Sequence, residues 1–316
     1  MSDRSAVGVD VGGTKIAALR MTAEGSVEAS TVIATPASDQ DAALPAIEEA
    51  ISSVLDDGVV AVGVGMAGLV DVRTGVLLTT PNLVWRDLPL EAHLHAAFSL
   101  PVNVDNDATA AAWAERSLGA SRDYDDSLFV GVGTGIGGGL VMGGRVVRGA
   151  YGLAGEIGHV IVEPGGPVCG CGNRGCWEQV ASGLAIARAG ARTVADDPGS
   201  AIGKLVGGDP GLVTGEIVSQ AARDGDTAAA GLLAEVGRRL GEGVAGLVNV
   251  LDPEIVVIGG GAGEAGELLL VPLRAAFVAS LEGADVRPEV PIVPAALGND
   301  AGAIGAGLLA FERVPG

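Results

Sequence analysis

The sequence predicts an α/β chain of two similar units facing one another across a cleft, and three observations carry that prediction. Apolar runs of strand length alternate with helical patterns from end to end, the order expected of layered sheets and helices. Two segments, Val7-Gly-Val-Asp-Val-Gly-Gly-Thr-Lys15 and Phe129-Val-Gly-Val-Gly-Thr-Gly-Ile-Gly137, read as copies of one device, a buried strand that turns through glycines into a second strand. In a chain with 52 glycines, chance similarity of the two copies stays open as the alternative. The third observation is composition. Of 316 residues 48% are hydrophobic but only 3% aromatic, so the core is built from Val, Ile, Leu and Ala, as suits buried strands. Length points to two domains at ~150 residues each.

The elements follow in order. Residues 6–10, 16–21 and 27–34 read as a three-stranded meander, followed by a helix over 41–55 and a buried strand over 59–64. A helix over 90–98 precedes a short strand at 102–105 and a helix over 108–118. The pattern then restarts with a strand at 127–132, a glycine turn at 133–139 and a hairpin over 140–147. Helical stretches cover 182–194 and 214–250, a buried strand lies at 255–258, a helix at 265–281, a strand at 290–293 and a last helix at 300–311. The uncharged stretch 127–144 approaches the length of a membrane span, but eight of its residues are glycine, which belong to turns.

Charge excludes some functions. At −20 net and a pI near 4.4, the surface repels nucleic acid and anionic membrane, so neither is an expected partner. Among the 19 basic residues only Lys15 and Lys204 are lysines, a bias that a GC-rich genome explains without function. The opening residues Met1-Ser-Asp-Arg-Ser run into an apolar stretch interrupted by Asp10 and Lys15, unlike a secretory signal, and the expected compartment is the reducing cytoplasm.

All three cysteines fall within Cys169-Gly-Cys171-Gly-Asn-Arg-Gly-Cys176, and His159 lies ten residues upstream. Three thiolates and an imidazole make a closed, soft set suited to a structural Zn²⁺, with a cluster of buried thiols as the plainer alternative. Glu156 and Glu178 flank the set, which suggests a pinned loop presenting two carboxylates and the second nitrogen of His159 to one ligand. The two glycine turns offer successive backbone N–H groups as phosphate nests, in which only glycine supplies the needed φ values and close approach, and Thr14 and Thr134 add hydroxyl donors. No GxxxxGK[ST] motif occurs. GxGxxG spacing at 63–68, 133–138 and 241–246 lacks a strand-to-helix setting, which argues against a dinucleotide site. The run Gly259-Gly-Gly-Ala-Gly263 between a strand and a helix is suited to a base and ribose, or is a plain turn. Val104-Asp-Asn-Asp-Ala-Thr109 ends a strand in carboxylates that serve either as a helix cap or as a general base.

Together these residues resemble the ROK family of bacterial sugar kinases, its ATP-dependent glucokinases in particular, within the actin-like and hexokinase-like ATPase fold. The motifs are Asp10-x-Gly-Gly-Thr-Lys15, Asn106-Asp107, Gly133-Thr-Gly135, Gly155-Glu-x-Gly-His159, the CxCGxxGCxE signature from Cys169 to Glu178, and Gly259 to Gly261. The resemblance implies a small domain of residues 1–109 plus 301–316, a large one of 110–300 carrying the zinc loop, and a hinge that closes them. It implies Asp107 as the base for the sugar 6-hydroxyl. Asn106, Asp107, Glu156, His159 and Glu178 become the sugar-binding set. His159, Cys169, Cys171 and Cys176 become the zinc ligands. Gly12, Gly13, Thr14, Lys15, Gly133, Thr134, Gly135, Gly259, Gly260 and Gly261 become the ATP contacts, with Asp10 orienting Mg²⁺. The implied substrates are glucose and ATP, and the implied assembly is a homodimer or homotetramer. Fructose, mannose or an N-acylhexosamine stays open as the sugar. Polyphosphate as donor runs against the acidic charge. Sugar-sensing repressors of the same family carry an added DNA-binding module ahead of the first phosphate loop, which here begins at Asp10, so a regulator is the lesser alternative.

Overall fold

A computed structural model describes residues 4–37, 39–80, 85–261 and 265–314. The first three residues, Ala262 and Gly263 of the third glycine run, and the final two residues of the expected small domain lie outside the described residues. The meander forms as β1 (Ser5–Val11), β2 (Lys15–Thr22) and β3 (Val27–Ala34), and α1 (Gln40–Val54) leads to β4 (Val59–Met66). Three short strands follow that the sequence reading missed: β5 (Leu69–Asp71), β6 (Val76–Thr79) and β7 (Arg86–Leu88), paired as a small sheet of their own. Next come α2 (Leu90–Phe98), β8 (Val102–Asn106) and α3 (Asp107–Ser117), then β9 (Ser127–Val132), β10 (Ile136–Met142) and β11 (Arg145–Val146).

Beyond an irregular segment lie α4 (Glu178–Ala181), α5 (Gly183–Asp196), α6 (Ala201–Leu205), α7 (Gly215–Arg223) and α8 (Thr227–Leu251). The chain continues through β12 (Ile255–Gly259), α9 (Glu267–Ser280), β13 (Ile292–Pro294) and α10 (Ala301–Phe311). One large sheet has the order β3-β2-β1-β4-β8 and the other β11-β10-β9-β12-β13, so the strand order of the first is repeated in the second. The duplicated α/β unit is therefore real. The described residues divide into two compact units, the first within Met1–Phe129, Gly138–Gly155 and Ala296–Gly316, the second within Val130–Gly137 and Glu156–Ala295.

The core of the first unit is aliphatic: Val7, Val9, Ile16, Ile47, Ile51, Val62, Val64 and Leu94 are fully buried. Its glycines have a packing role. A Cβ at Gly8 would stand 1.9 Å from Ala303 O, one at Gly63 1.8 Å from Ala306 O, and one at Gly305 1.7 Å from Ala110 O. Helix α10 thus rests on the bare backbone of β1, β4 and α3, and the alternating glycines of the strands are the groove it occupies.

Two expectations change. The helical stretch over 214–250 is two helices, because Gly225 adopts φ 96° after α7 and the Asp226 side chain accepts from Ala229 N at 2.6 Å to start α8. The glycine turn expected at 133–139 gives way to β10 from Ile136 onward, since Gly139 lies where a Cβ would meet Ala108 O at 2.5 Å and so belongs to a strand packed by α3. The hairpin that follows turns at Gly143 and Gly144, both with positive φ (57° and 69°), the geometry of a two-residue type I′ turn.

Substituting Gly8→Ala costs about 3 kcal/mol or more, because the new methyl meets the α10 backbone at Ala303 O and Gly307 N and nothing flexible gives way. Gly231→Ala on exposed helix surface, where no atom lies within 4 Å of the added Cβ, stabilises by about 0.5–1 kcal/mol. Urea denaturation of the two variants checks the pair, and a Gly8→Ala protein as stable as wild type contradicts the packing of α10.

Candidate active site and metal centre

In the first unit, parallel pairing of β1, β4 and β8 sets Asp10 beside Gly65 and Gly65 beside Asp105, at the carboxyl ends of the strands. That edge is where open α/β sheets bind ligands. The β1–β2 turn is closed by Gly12 N–H donating to Lys15 O at 3.0 Å, while Thr35, just past the end of β3, holds it, its N–H on Thr14 O at 3.0 Å and its hydroxyl on Gly12 O at 2.8 Å. The φ argument for glycine made from sequence is corrected here: Gly12, Gly13, Gly133 and Gly135 all lie outside the positive-φ glycines. These glycines keep side chains out of the turn.

Asp107 opens α3. Its Oδ1 accepts from Ala108 N–H at 2.8 Å. Asn106 is the helix cap, its Oδ1 accepting from Thr109 N–H at 3.0 Å, and its Nδ2 donates to Gly68 O at 3.3 Å, so both readings of that residue pair remain chemically available. Burial raises the Asp107 carboxyl above the usual range, against the lowering effect of the backbone N–H groups and of Asn106. Asp10 is raised to about 7, first by burial, then by the neighbouring Asp107 charge, with Lys15 opposing. The first turn of α10 backs Asp10 closely, for a Cβ at Gly302 would lie 3.0 Å from its Cγ. Two neighbouring carboxylates that resist ionising together invite either a proton or a cation between them.

The second unit holds the cysteine cluster. The ligand atoms of His159, Cys169, Cys171 and Cys176 all lie within 4.8 Å of one another. Cys171 Sγ and Cys176 Sγ are 3.6 Å apart, and Cys169 Sγ is 3.6 Å from His159 Nδ1. A tetrahedral ion with Zn–S near 2.3 Å and Zn–N near 2.0 Å needs about 3.8 Å and about 3.5 Å for these two spans, so the donor set fits the group. Burial pushes the Cys169 thiol up to about 12, a bias that a cation among the sulfurs reverses.

His159 turns Nδ1 toward the sulfurs and Nε2 toward Glu156, whose Oε2 lies 3.7 Å away. Glu178 sits on the other side, accepting from Cys169 Sγ at 3.0 Å and from Gln179 Nε2 at 3.1 Å. A Cβ at Gly135 would stand 2.4 Å from Glu178 Oε2, so that glycine brings the second glycine turn onto the carboxylate. Gly183 N–H donates to Gly133 O at 2.9 Å, fixing the same turn at the start of α5. Gly260, at φ 79°, passes so close to Val132 O (2.6 Å from a Cβ) that only glycine fits.

The structure therefore gathers Asp10, Gly12, Gly13, Thr14, Lys15, Asn106 and Asp107 in the first unit, and Gly133, Thr134, Gly135, Glu156, His159, the cysteines and Glu178 in the second. Three supporting residues escaped the sequence reading. Trp177, fully buried, donates from Nε1 to Arg239 O at 3.0 Å and lies against Gly243, which ties the cysteine loop to α8. Arg188 holds Gln179 Oε1 at 2.9 Å and through it the neighbour of Glu178. Arg148 pairs with buried Asp105 at 2.7 Å and closes its own loop by accepting Ala154 N–H at 3.1 Å, just ahead of Glu156. Trp177 alone left a signal, as a rare aromatic inside the cysteine motif.

Residues 6–313 match the model of the ROK family. The chain is 39% identical to a glucokinase of Streptomyces coelicolor, covering 98% of both proteins. It is 37% identical to an N-acetylmannosamine kinase of Escherichia coli over 96% of this chain and 97% of that one. Its fold is similar to the crystal structure of a ROK family glucokinase from Streptomyces griseus in complex with glucose and AMPPNP, with a TM-score of 0.91, 40% identity, and coverage of 98% of this chain and 99% of that one.

Asp10 gives a pH signature. The folded protein holds this proton up to about pH 7, whereas an unfolded aspartate releases it near 3.8, so the folded state binds more protons in between and loses stability as pH rises through that window. Without divalent cation, Asp10→Asn is expected to melt at least ~2 °C above wild type at pH 8 and to converge with it near pH 4. Melting curves from pH 4 to 8 check this, and a difference independent of pH contradicts the assignment.

Proposed function

The chain belongs to the ROK family, and on that premise we propose that it transfers the γ-phosphoryl group of ATP to the 6-hydroxyl of D-glucose. The reading is carried by full-length similarity at 40% identity to a glucokinase whose crystal holds glucose and an ATP analogue. The residues are chemically apt. Asp107 accepts the proton of the 6-hydroxyl as its oxygen bonds to the γ-phosphorus and the bond to the ADP oxygen breaks; a carboxyl raised by burial is the stronger base. Glu156, Glu178, His159 Nε2 and Asn106 serve as hydrogen-bond partners of the sugar hydroxyls, and a carboxylate accepts two or more such bonds. The turns at Gly12 to Lys15 and Gly133 to Gly135, with Gly259 to Gly261, hold the nucleotide through backbone N–H groups. In phosphoryl transfer the protein's share is mainly positioning and charge stabilisation.

His159 Nδ1 and the three cysteine sulfurs would hold a structural Zn²⁺, which supplies a cross-link for the loop bearing Glu156 and Glu178. Asp10 would orient the Mg²⁺ that accompanies ATP, which would supply neutralisation of the phosphate charge. A functional division at 109/110 and 300/301, a cytoplasmic location and a dimeric or tetrameric assembly belong to the same proposal. Among the described residues, no helix is long and apolar enough to cross a membrane.

Similarity to an N-acetylmannosamine kinase favours a second reading, in which the sugar is another hexose or an N-acylhexosamine such as N-acetylmannosamine, with fructose and mannose as further members of the class. One experiment separates them: sugar-dependent ADP release from ATP and Mg²⁺ with a panel of hexoses and N-acylhexosamines, run on wild type and Asp107→Ala. Glucose is expected to give the highest kcat/KM, and the variant to lose roughly 10²–10⁴-fold in kcat while still binding glucose. A higher kcat/KM for another sugar favours the second reading. An active variant removes Asp107 as the base, and no sugar-dependent ADP release refutes the kinase.

A further inference from the structure

Glu115 lies on α3 two turns after Asp107, is fully buried, and is a charged group that the proposed chemistry does not use. Its carboxylate accepts three backbone N–H groups: Ala120 at 2.7 Å and Ala296 at 3.1 Å on Oε2, and Leu297 at 2.8 Å on Oε1. The first donor belongs to the turn that ends α3; the other two belong to the segment that enters α10 from the far end of the chain. Gly119 makes room for the clamp, since a Cβ there would stand 2.1 Å from Glu115 Oε2. Each helix joined by this carboxylate reaches one of the paired aspartates. Asp107 is the first residue of α3, and the first turn of α10 presses on Asp10 through Gly302.

We propose that Glu115 is a positioning residue of the phosphoryl-transfer site: by clamping the entry of α10 to the end of α3, it sets the register of the two helices and hence the placement of Asp107 against Asp10. The inference rests on the kinase reading. The interface leaves no slack elsewhere, because Gly305 brings α10 onto the Ala110 carbonyl and a shift along either helix would drive backbone into backbone. A carboxylate suits the task because it is acceptor-only and meets three donors at once. An amide cannot replace it, for whichever way Gln is set, its NH₂ faces a backbone N–H.

The test compares wild type, Glu115→Gln and Gly119→Ala in the ATP and Mg²⁺ assay with glucose, at a temperature where melting curves show each protein folded. Gly119→Ala keeps the acid but pushes it aside, so it reports on the clamp where Glu115→Gln does not fold. Displacement of the base costs roughly 10²-fold in kcat with glucose KM within about threefold of wild type. Folded variants with kcat within twofold of wild type, or with KM alone changed, overturn the proposal. An inactive wild type condemns the kinase reading instead, and amide hydrogen exchange then decides the clamp. Protection lost around both Asp107 and Gly302 in the variants supports it, and loss confined to residues 119–121 and 296–297 overturns it.

Discussion

The convergence of one imidazole and three thiols in the second unit is the constraint on which the candidate site depends. From Val147 to Trp177 the chain has almost no regular structure beyond a short 3₁₀ turn at Ile157–His159 and isolated bridges at Ile161–Cys176 and Val168–Arg174. Irregular segments of this length are uncommon in compact domains, at roughly twice the ~15 residues beyond which loops usually need a special reason. Here the proposed ion would supply that reason, as a cross-link among His159 and the three cysteines. Cys169 and Cys176 are buried while Cys171 is exposed, and Trp177 fastens the end of the segment to α8. With both ends fixed, Glu178 is carried to the Gly133–Gly135 turn, and His159 keeps Nδ1 toward the sulfurs and Nε2 toward Glu156.

The first unit solves a different problem by a different route. Asp10 and Asp107 are neighbours although burial and mutual repulsion both raise the Asp10 carboxyl. Such an arrangement is unfavourable in isolation and persists only where the surrounding packing over-determines it. The over-determination comes from glycine: Gly8, Gly63, Gly302 and Gly305 let α10 settle onto strands, helix and carboxylate at backbone distance.

How much was legible in the sequence follows from how local each signal is. The cysteine set and its histidine lie within eighteen residues, 159–176, so spacing alone exposed them, and the Asp-Asn-Asp run at the end of β8 was visible for the same reason. Apolar periodicity located the main strands and helices to within a residue or three, because burial on one face enforces it. Periodicity failed where burial is weak or where a cap interrupts it: β5 to β7 are too short to alternate, and Asp226 ends a helical pattern that hydrophobicity continues. Contacts between distant positions left no trace at all. Arg148 meets Asp105 43 residues away, and Glu115 meets Leu297 182 residues away, so neither could be paired before the fold was known. The glycines of the turns were noticed and explained by φ and by close approach; none of Gly12, Gly13, Gly133 and Gly135 has a positive φ, and of the four it is Gly135 that meets a close neighbour, Glu178.

The central claim is that an ion bound by His159, Cys169, Cys171 and Cys176 holds Glu178 and His159 in place for the sugar. Its most direct test is to withdraw metal stepwise with a chelator while measuring glucose binding by calorimetry and bound zinc by elemental analysis. The account predicts one zinc per chain and a glucose-binding fraction that falls in proportion to zinc lost, while binding of ATP with Mg²⁺ restored is kept. Undiminished glucose affinity in protein shown to be free of zinc would contradict it.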